Sequence, residues 1–388
     1  MNDKIGKKWA VEWREYEDPW SGAEITQLTD YNCHSYHLYF TNPGWYANGK
    51  KLLFGSEREN QANLFSIDLE SGEITQLTDF ITPRGTEFNF LSACVNPVKE
   101  EAYFYHERHV KALDLNSFEL TSIYTLPEKY VKSMLNCTAD GKHVLMGLYE
   151  NLSDKIRVDL ERGYVGFREI HQARPHSMIV QIPSDGNGEA EIVWEEDYWI
   201  GHVNTSPSDP ALLTFCHEGP WTLVDNRIWG FNLKNRDAWK IRPREGKENP
   251  GHEYWFADGS RVGYHGSEGK ENLIGSIKPD NTDKIEVRFP SESGHIHSND
   301  EHLIVGDAGQ HVRLWRWNEN EQVYEGPHAL CEHRCSKHIQ KLHVHPRLNP
   351  EGTHVLYTSD ISGYGNVYLA KLPPASEFEE LPFLFFTI

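Results

Sequence analysis

Gly22-Ala23-Glu24-Ile25-Thr26-Gln27-Leu28-Thr29-Asp30 recurs almost letter for letter as Ser71-Gly72-Glu73-Ile74-Thr75-Gln76-Leu77-Thr78-Asp79, an offset of 79 − 30 = 49 residues. Each copy reads as the far half of a β-hairpin: an acidic turn with Gly, then an alternating β-rich run. The approach strand of the second copy is Leu64-Phe65-Ser66-Ile67-Asp68-Leu69, and a weaker copy is Val110–Leu115 followed by Asn116-Ser117-Phe118-Glu119. A second hairpin type alternates with the first. Asn48-Gly49 precedes Lys51–Gly55, Asp140-Gly141 precedes His143–Gly147, Asp258-Gly259 precedes Arg261–Tyr264, and Glu351-Gly352 precedes His354–Tyr357. Degenerate copies sit at Val98-Lys99, Ser208-Asp209 and Asn299-Asp300. The turns near 49, 99, 141, 209, 259, 300 and 352 are separated by 50, 42, 68, 50, 41 and 52 residues.

A period of about 40 to 50 residues holding two hairpins is the mark of a β-propeller blade. Helical periodicity is nearly absent, which argues against alternating α/β units. The expected fold is therefore all-β: one seven-bladed β-propeller domain spanning residues 1–388. The long step of 68 contains a charged stretch, 151–174, that breaks the pattern and reads as an insertion. Counting both Glu12–Asp30 and Val367–Leu381 gives one hairpin too many. Either residues 1–30 clasp the ring shut or one hairpin packs outside it.

The chain has 388 residues and a formal charge of 38 − 58 = −20. This argues against nucleic-acid and anionic-membrane partners, which need a basic face. Hydrophobic residues at 38% and charged residues at 25% are those of a globular chain. No apolar run is long enough to span a bilayer. The start, Met1-Asn2-Asp3-Lys4-Ile5-Gly6-Lys7-Lys8, has no apolar segment behind its charges, and six cysteines are thinly spread. Reduced thiols and a cytoplasmic location are the expectation.

The densest chemistry lies in Cys331–Pro346. If 343–345 is a strand, His343 and His345 present both imidazoles on one face. The amide oxygen of Gln340 is close in sequence. His295-Ile296-His297 stands 343 − 295 = 48 residues earlier, nearly one blade away, so the two pairs would face the same axis. With 21 histidines in the chain a chance pair is common, but two pairs one blade apart point to a metal centre. Cys331, His333, Cys335 and His338 form an alternative cluster whose spacing matches no common zinc template closely. His252 sits in the Gly251-His252-Glu253-Tyr254-Trp255 run at a strand entrance. Arg227 lies between polar and Trp-rich segments as a candidate anion clamp. Arg174 and His176 are weaker candidates of the same kind, and His34 and His37 fall at the matching place in the first blade. These four are expected to line the substrate mouth.

Over nearly its whole length the sequence resembles the oligogalacturonate lyase family. The resemblance is carried by Ser21–Thr29, Leu52–Gly55, His252–Trp255, His295–Asn299 and Gln340-x-x-His343-x-His345, the last three in order and register. It implies a seven-bladed propeller with a divalent metal, chiefly Mn2+, held by His295, Gln340, His343 and His345. It implies His252 as general base with Arg227 near the substrate. The reaction would be β-elimination on short acidic galacturonides, giving 5-keto-4-deoxyuronate. His297 stands where an apolar residue is expected, which leaves open which member of the 295/297 pair is the ligand. Segment 301–338 is shorter than the family pattern. A non-catalytic binding scaffold, or a lyase or isomerase acting on another uronate, are the rival readings. A prolyl-peptidase-like hydrolase is disfavoured, because no Gly-x-Ser-x-Gly elbow is present.

Overall fold

The computed structural model describes residues 4–83, 88–289 and 291–384. The first three residues of the charged N-terminal stretch therefore lie outside the described residues. The strands form seven antiparallel sheets in sequence order around a ring. Blades 2 to 6 are simple four-stranded meanders, such as Gly251–Trp255, Val262–Glu268, Glu271–Ile277 and Ile285–Phe289 in blade 5. Every turn singled out in the sequence, from Asn48-Gly49 to Glu351-Gly352, joins an innermost strand to the second strand of its blade. The repeated Gln-Leu-Thr-Asp segments supply the strands Glu24–Gln27 and Ile74–Gln76, each covered on its outer edge by a short N-terminal strand, Arg14–Glu17 and Lys8–Trp9 respectively.

The two repeats also share their hydrogen bonds. Asp18 and Asp68 each accept backbone N–H groups two and three residues on, at 3.0 and 2.9 Å and at 3.1 and 2.8 Å. Such Asx turns orient the chain for the returning strand. Gln27 and Gln76 donate to the Thr29 and Thr78 carbonyls, both at 2.8 Å. Thr29 and Thr78 then donate to Asn366 at 2.9 Å and Asn63 at 2.8 Å in the neighbouring strand.

The surplus hairpin is placed by this last contact. Blade 7 takes Arg347–Leu348, His354–Ser359 and Asn366–Lys371 from the C-terminal part and Glu24–Gln27 from the N-terminal part. Ile25 pairs with Ala370, Thr26 with Leu369 and Gln27 with Tyr368. Residues 151–175 leave blade 3 between its second and third strands and carry the helix Phe167–Ala173. Between the sheets lie apolar layers, for example Leu145, Ile179, Val203, Leu213 and Phe215 between blades 3 and 4. All six cysteines are unpaired. No helix among the described residues is long and apolar enough to cross a membrane.

One buried group departs from this apolar packing. Glu253, on the innermost strand of blade 5, is 1% exposed, and neither carboxyl oxygen has a hydrogen-bond partner among the described residues. Burial raises its carboxyl to about 7, with Glu218 adding and Arg227 opposing.

Two outcomes follow from the packing. Ile25 is 1% exposed at the ring-closing pairing, so Ile25→Ala should cost about 2–5 kcal/mol in urea unfolding. Glu253 folds with its carboxyl raised from 4.5 to about 7, so its contribution is intact below pH 4.5 and is lost as pH rises through 7. The melting temperature of Glu253→Gln, relative to the unaltered protein, should therefore increase between pH 4.5 and 7.5. An unchanged difference would show that Glu253 folds ionised.

Candidate active site

A cavity of about 740 Å³ lies at the ring axis, walled by Tyr39, Lys132, His202, Arg227, His252 and His295 among others. The blade 3 insertion adds Leu160, Glu161, Tyr164 and Phe167 to this wall. Innermost strands bring the key side chains here, and two are bulged where they do so. The register of blade 4 shifts between Gly201 and Asn204, and that of blade 5 between Gly251 and Tyr254. His202 and His252 occupy these bulges with φ of 44° and 48°, and His345 in blade 7 has φ of 46°. Left-handed backbone is unfavourable for a residue with a Cβ and persists where surrounding structure enforces it. A bulge re-aims a side chain that regular alternation would direct into a blade interface.

The glycine before each of three pocket histidines makes room for a charged group. A Cβ on Gly201 would stand 2.8 Å from Glu218 Oε2, one on Gly251 2.6 Å from Arg227 Cδ, and one on Gly294 2.9 Å from Asp307 Oδ1. Arg227 is buried and grips Glu218 with two N–H donors, at 2.8 and 3.4 Å. Burial alone would raise the Glu218 carboxyl, but Arg227 and His202 outweigh it and hold it down at about 2.

His295, His343 and His345 converge. Their ring centroids are 4.5 to 5.8 Å apart, and a ligand nitrogen from each lies within 4.8 Å of the others. His295 Nδ1 and Asp307 Oδ2 are 2.9 Å apart, so Nδ1–H donates to the carboxylate and Nε2 is left for a ligand. His345 Nε2 is buried with no hydrogen-bond partner among the described residues. Burial lowers His343 to about 4 and holds His345 well below the usual range, so both rings are neutral. His252 stacks on His295 with centroids 5.0 Å apart, and burial keeps it neutral too. Gln340 lines the same cavity and donates from Nε2 to the Tyr164 hydroxyl at 2.8 Å.

Several placements differ from the sequence reading. His343 and His345 do not lie on a strand: they follow a short 3-10 turn, Gln340–Leu342, and the convergence comes from the left-handed backbone of His345. His297 points away; its Nδ1 accepts from the Leu348 N–H at 3.3 Å and its ring packs on Tyr254. Cys331, His333, Cys335 and His338 form no metal-like cluster, and the Cys335 thiol donates to the Leu342 carbonyl. None of the four residues expected at the substrate mouth lines the central cavity. Arg174 covers the Tyr198 ring at 3.9 Å, and His176 faces Asp197 at 3.1 Å on the outer side of blade 3. His37 is buried against the Val344 carbonyl at 3.2 Å, and His34 lines a separate cavity with Glu57 and Lys341. Their shared fault is dependence on local sequence; facing the axis depends on the innermost strands.

The sequence reading overlooked His202, Glu218, Asp307 and Lys132. His202 had a legible signal: Gly201-His202 precedes Gly251-His252 by 252 − 202 = 50 residues, one blade. His202, Cys216 and Glu218 form a second group of possible ligand atoms within 4.8 Å, but Arg227 already supplies the cation there. Lys132, lowered to about 8 by burial, adds positive charge to the wall.

The sequence profile described as oligogalacturonate lyase matches residues 3–376. The chain is 28% identical over 406 aligned residues to the oligogalacturonate lyase of Dickeya dadantii, covering 95% of this chain and 98% of that one. It is 28% identical to the oligogalacturonide lyase of Pectobacterium atrosepticum, with the same coverage. A solved oligogalacturonate lyase in complex with manganese superposes with a TM-score of 0.84 at 25% identity, covering 96% of this chain and 99% of the other. The oligogalacturonate lyase structure from Vibrio parahaemolyticus, at 24% identity, shares the fold with a TM-score of 0.82. With a profile spanning almost every residue and a seven-bladed ring to match, the chain belongs to the oligogalacturonate lyase family and is an enzyme of the lyase class.

Proposed function

We propose that this enzyme cleaves short oligogalacturonides by metal-assisted β-elimination to 5-keto-4-deoxyuronate. The observation that carries the reading is the convergence of His295, His343 and His345, with His295 also lining the cavity beside the neutral His252 and the buried Arg227. His295, His343 and His345, with the Gln340 amide oxygen, would hold a divalent cation, and the manganese complex of a similar solved oligogalacturonate lyase supports Mn2+ as that ion. The structure fits that role: Asp307 orients His295, and His345 offers a buried nitrogen with no other partner among the described residues. When bound, the cation would supply positive charge that lowers the cost of placing more negative charge on a uronate carboxylate.

The remaining chemistry belongs to the chain. Removal of the C5 proton, α to the C6 carboxylate, needs a neutral base, and burial keeps His252 unprotonated. As the proton moves to His252, the C5–H electron pair forms the C4=C5 double bond and the C4–O bond breaks. The C4 glycosidic oxygen leaves as an alkoxide that takes a proton from solvent, and the released unsaturated uronate opens its ring and tautomerises from enol to ketone to give 5-keto-4-deoxyuronate. Arg227, held rigid by Glu218, presents fixed positive charge to a substrate carboxylate. Lys132 and Arg227 bring two cations to a wall that also carries Glu161 and Glu218, so a bound divalent cation would tip the cavity positive despite a net charge of −20. Six unpaired thiols suit a cytoplasmic setting.

Digalacturonate incubated with metal-loaded enzyme should yield an unsaturated uronate absorbance, abolished by a chelator and restored by Mn2+; no product under loaded conditions overturns the reading. His343→Ala or His345→Ala should lose bound metal and activity together, because one lost ligand costs about 10- to 100-fold in affinity or more. Metal content unchanged in both would sink the ligand assignment. His252→Ala should lose turnover by at least about 100-fold with metal content intact.

A further inference from the structure

Residues 151–175 leave blade 3, yet their tip meets the segment that enters blade 7, a blade that is not its neighbour in the ring. The tip is a closed loop. Asp159 and Val165 exchange two backbone hydrogen bonds, at 3.0 and 2.9 Å, and Asp159 Oδ1 accepts the Arg162 N–H at 3.0 Å. Two contacts from this loop reach one residue. The Gln340 N–H donates to the Glu161 carbonyl at 3.2 Å, and Gln340 Nε2 donates to the Tyr164 hydroxyl at 2.8 Å. Glu161 is itself tied to the segment before blade 2, because Asn89 Nδ2 donates to its Oε1 at 3.2 Å.

Backbone and packing together present the tyrosine. Gly163 and Tyr164 have φ of 68° and 53°, a left-handed conformation that is costly for a residue with a Cβ. Aromatic contacts offset that cost. The Tyr164 ring meets Phe167 edge-on at 5.6 Å between centroids, Phe167 meets Trp199 at 5.3 Å, and Trp199 lies against Tyr149 at 5.5 Å. Tyr149 is in the second strand of blade 3 and Trp199 joins blade 3 to blade 4, so a row of rings runs from the body of the propeller to the Tyr164 hydroxyl. A Gln side chain has two chemically different ends, and only its oxygen binds a cation. With Nε2 engaged by Tyr164, Oε1 is the end left for one. The same turn seats His343, whose N–H donates to the Gln340 carbonyl at 3.0 Å.

We propose that Tyr164 is a positioning residue that orients the Gln340 amide, so that the blade 3 insertion preorganises the candidate metal site as well as walling the cavity. The inference rests on the reading of Gln340 as a ligand beside His295, His343 and His345. It extends that reading by assigning the group that decides which end of the amide meets the cation. A ligand ordered in advance by a hydrogen bond binds its metal more tightly than one that must be ordered by the metal itself.

The test is the Mn2+ affinity of the full chain, read from the EPR signal of free Mn2+ during titration, in a double-mutant cycle of Tyr164→Phe and Gln340→Ala. Tyr164→Phe keeps the ring against Phe167 and removes only the hydroxyl, so the melting temperature without metal should be unchanged. It should weaken Mn2+ binding about 10-fold, at the lower end for a residue hydrogen-bonded to a ligand, because half-exposed Tyr164 leaves room for water to replace it. In the Gln340→Ala background the same substitution should change Mn2+ affinity by less than about twofold, since Tyr164 acts through Gln340. Affinity unchanged or tighter in Tyr164→Phe overturns the proposal, as does equal weakening in both backgrounds. A raised KM for digalacturonate with unaltered Mn2+ affinity would make Tyr164 a substrate contact and overturn it too. Those failures leave the metal reading standing. No Mn2+ bound by the unaltered protein would remove the metal reading, and this assignment with it.

Discussion

The architecture depends on one pairing, Glu24–Gln27 of the N-terminal part against Asn366–Lys371 of the C-terminal part. An open arc of seven sheets would leave exposed strand edges at both ends and would not define an axis. Closing the last blade with a strand from the other end of the chain removes that freedom. Thr29 strengthens the join by donating to Asn366 and accepting the Val367 N–H. Every axial contact follows from this closure, because His295 from blade 6 and His345 from blade 7 meet only when the blades keep their places around the ring.

The active cavity is made from departures from ideal sheet geometry. A regular strand alternates its side chains between two blade interfaces and directs nothing along the strand toward the axis. The bulges at His202 and His252 and the left-handed His345 turn imidazoles into the channel instead. Gly201, Gly251 and Gly294 leave the space into which Glu218, Arg227 and Asp307 fit behind His202, His252 and His295. Strain in the backbone and missing Cβ atoms thus serve one end: packing ionic partners tightly against the imidazoles.

Burial decides the protonation that the proposed chemistry requires. Cationic imidazoles could neither bind a metal nor accept a proton, and desolvation disfavours that charge in His252, His343 and His345. The fixed positive charge is concentrated instead on Arg227, whose partner Glu218 stays ionised even though it is buried. Glu253 is the counterpoint: equally buried but without hydrogen bonds, it is raised toward neutrality.

The repeats made the propeller legible because each blade must bury both faces of its sheet, so turns and apolar runs return at a nearly constant interval. The sequence by itself therefore determined the all-β class, the seven turns and the His295, Gln340, His343 and His345 constellation as a family resemblance. It could not distinguish His295 from His297, because alternation in an assumed strand gives both the same face; packing against Tyr254 and Leu348 turns His297 away from the axis. It misplaced Arg174, His176, His34 and His37 for a related reason. Their neighbours in sequence resemble a pocket mouth, yet only closure of the ring establishes which end of each strand faces inward. Lys132 and His202 lie on innermost strands and Glu218 and Asp307 just beyond second strands, in three blades altogether, and the tertiary structure alone brings them within reach of the cavity, since hydrogen bonds and desolvation act over a few ångströms of space irrespective of distance along the chain.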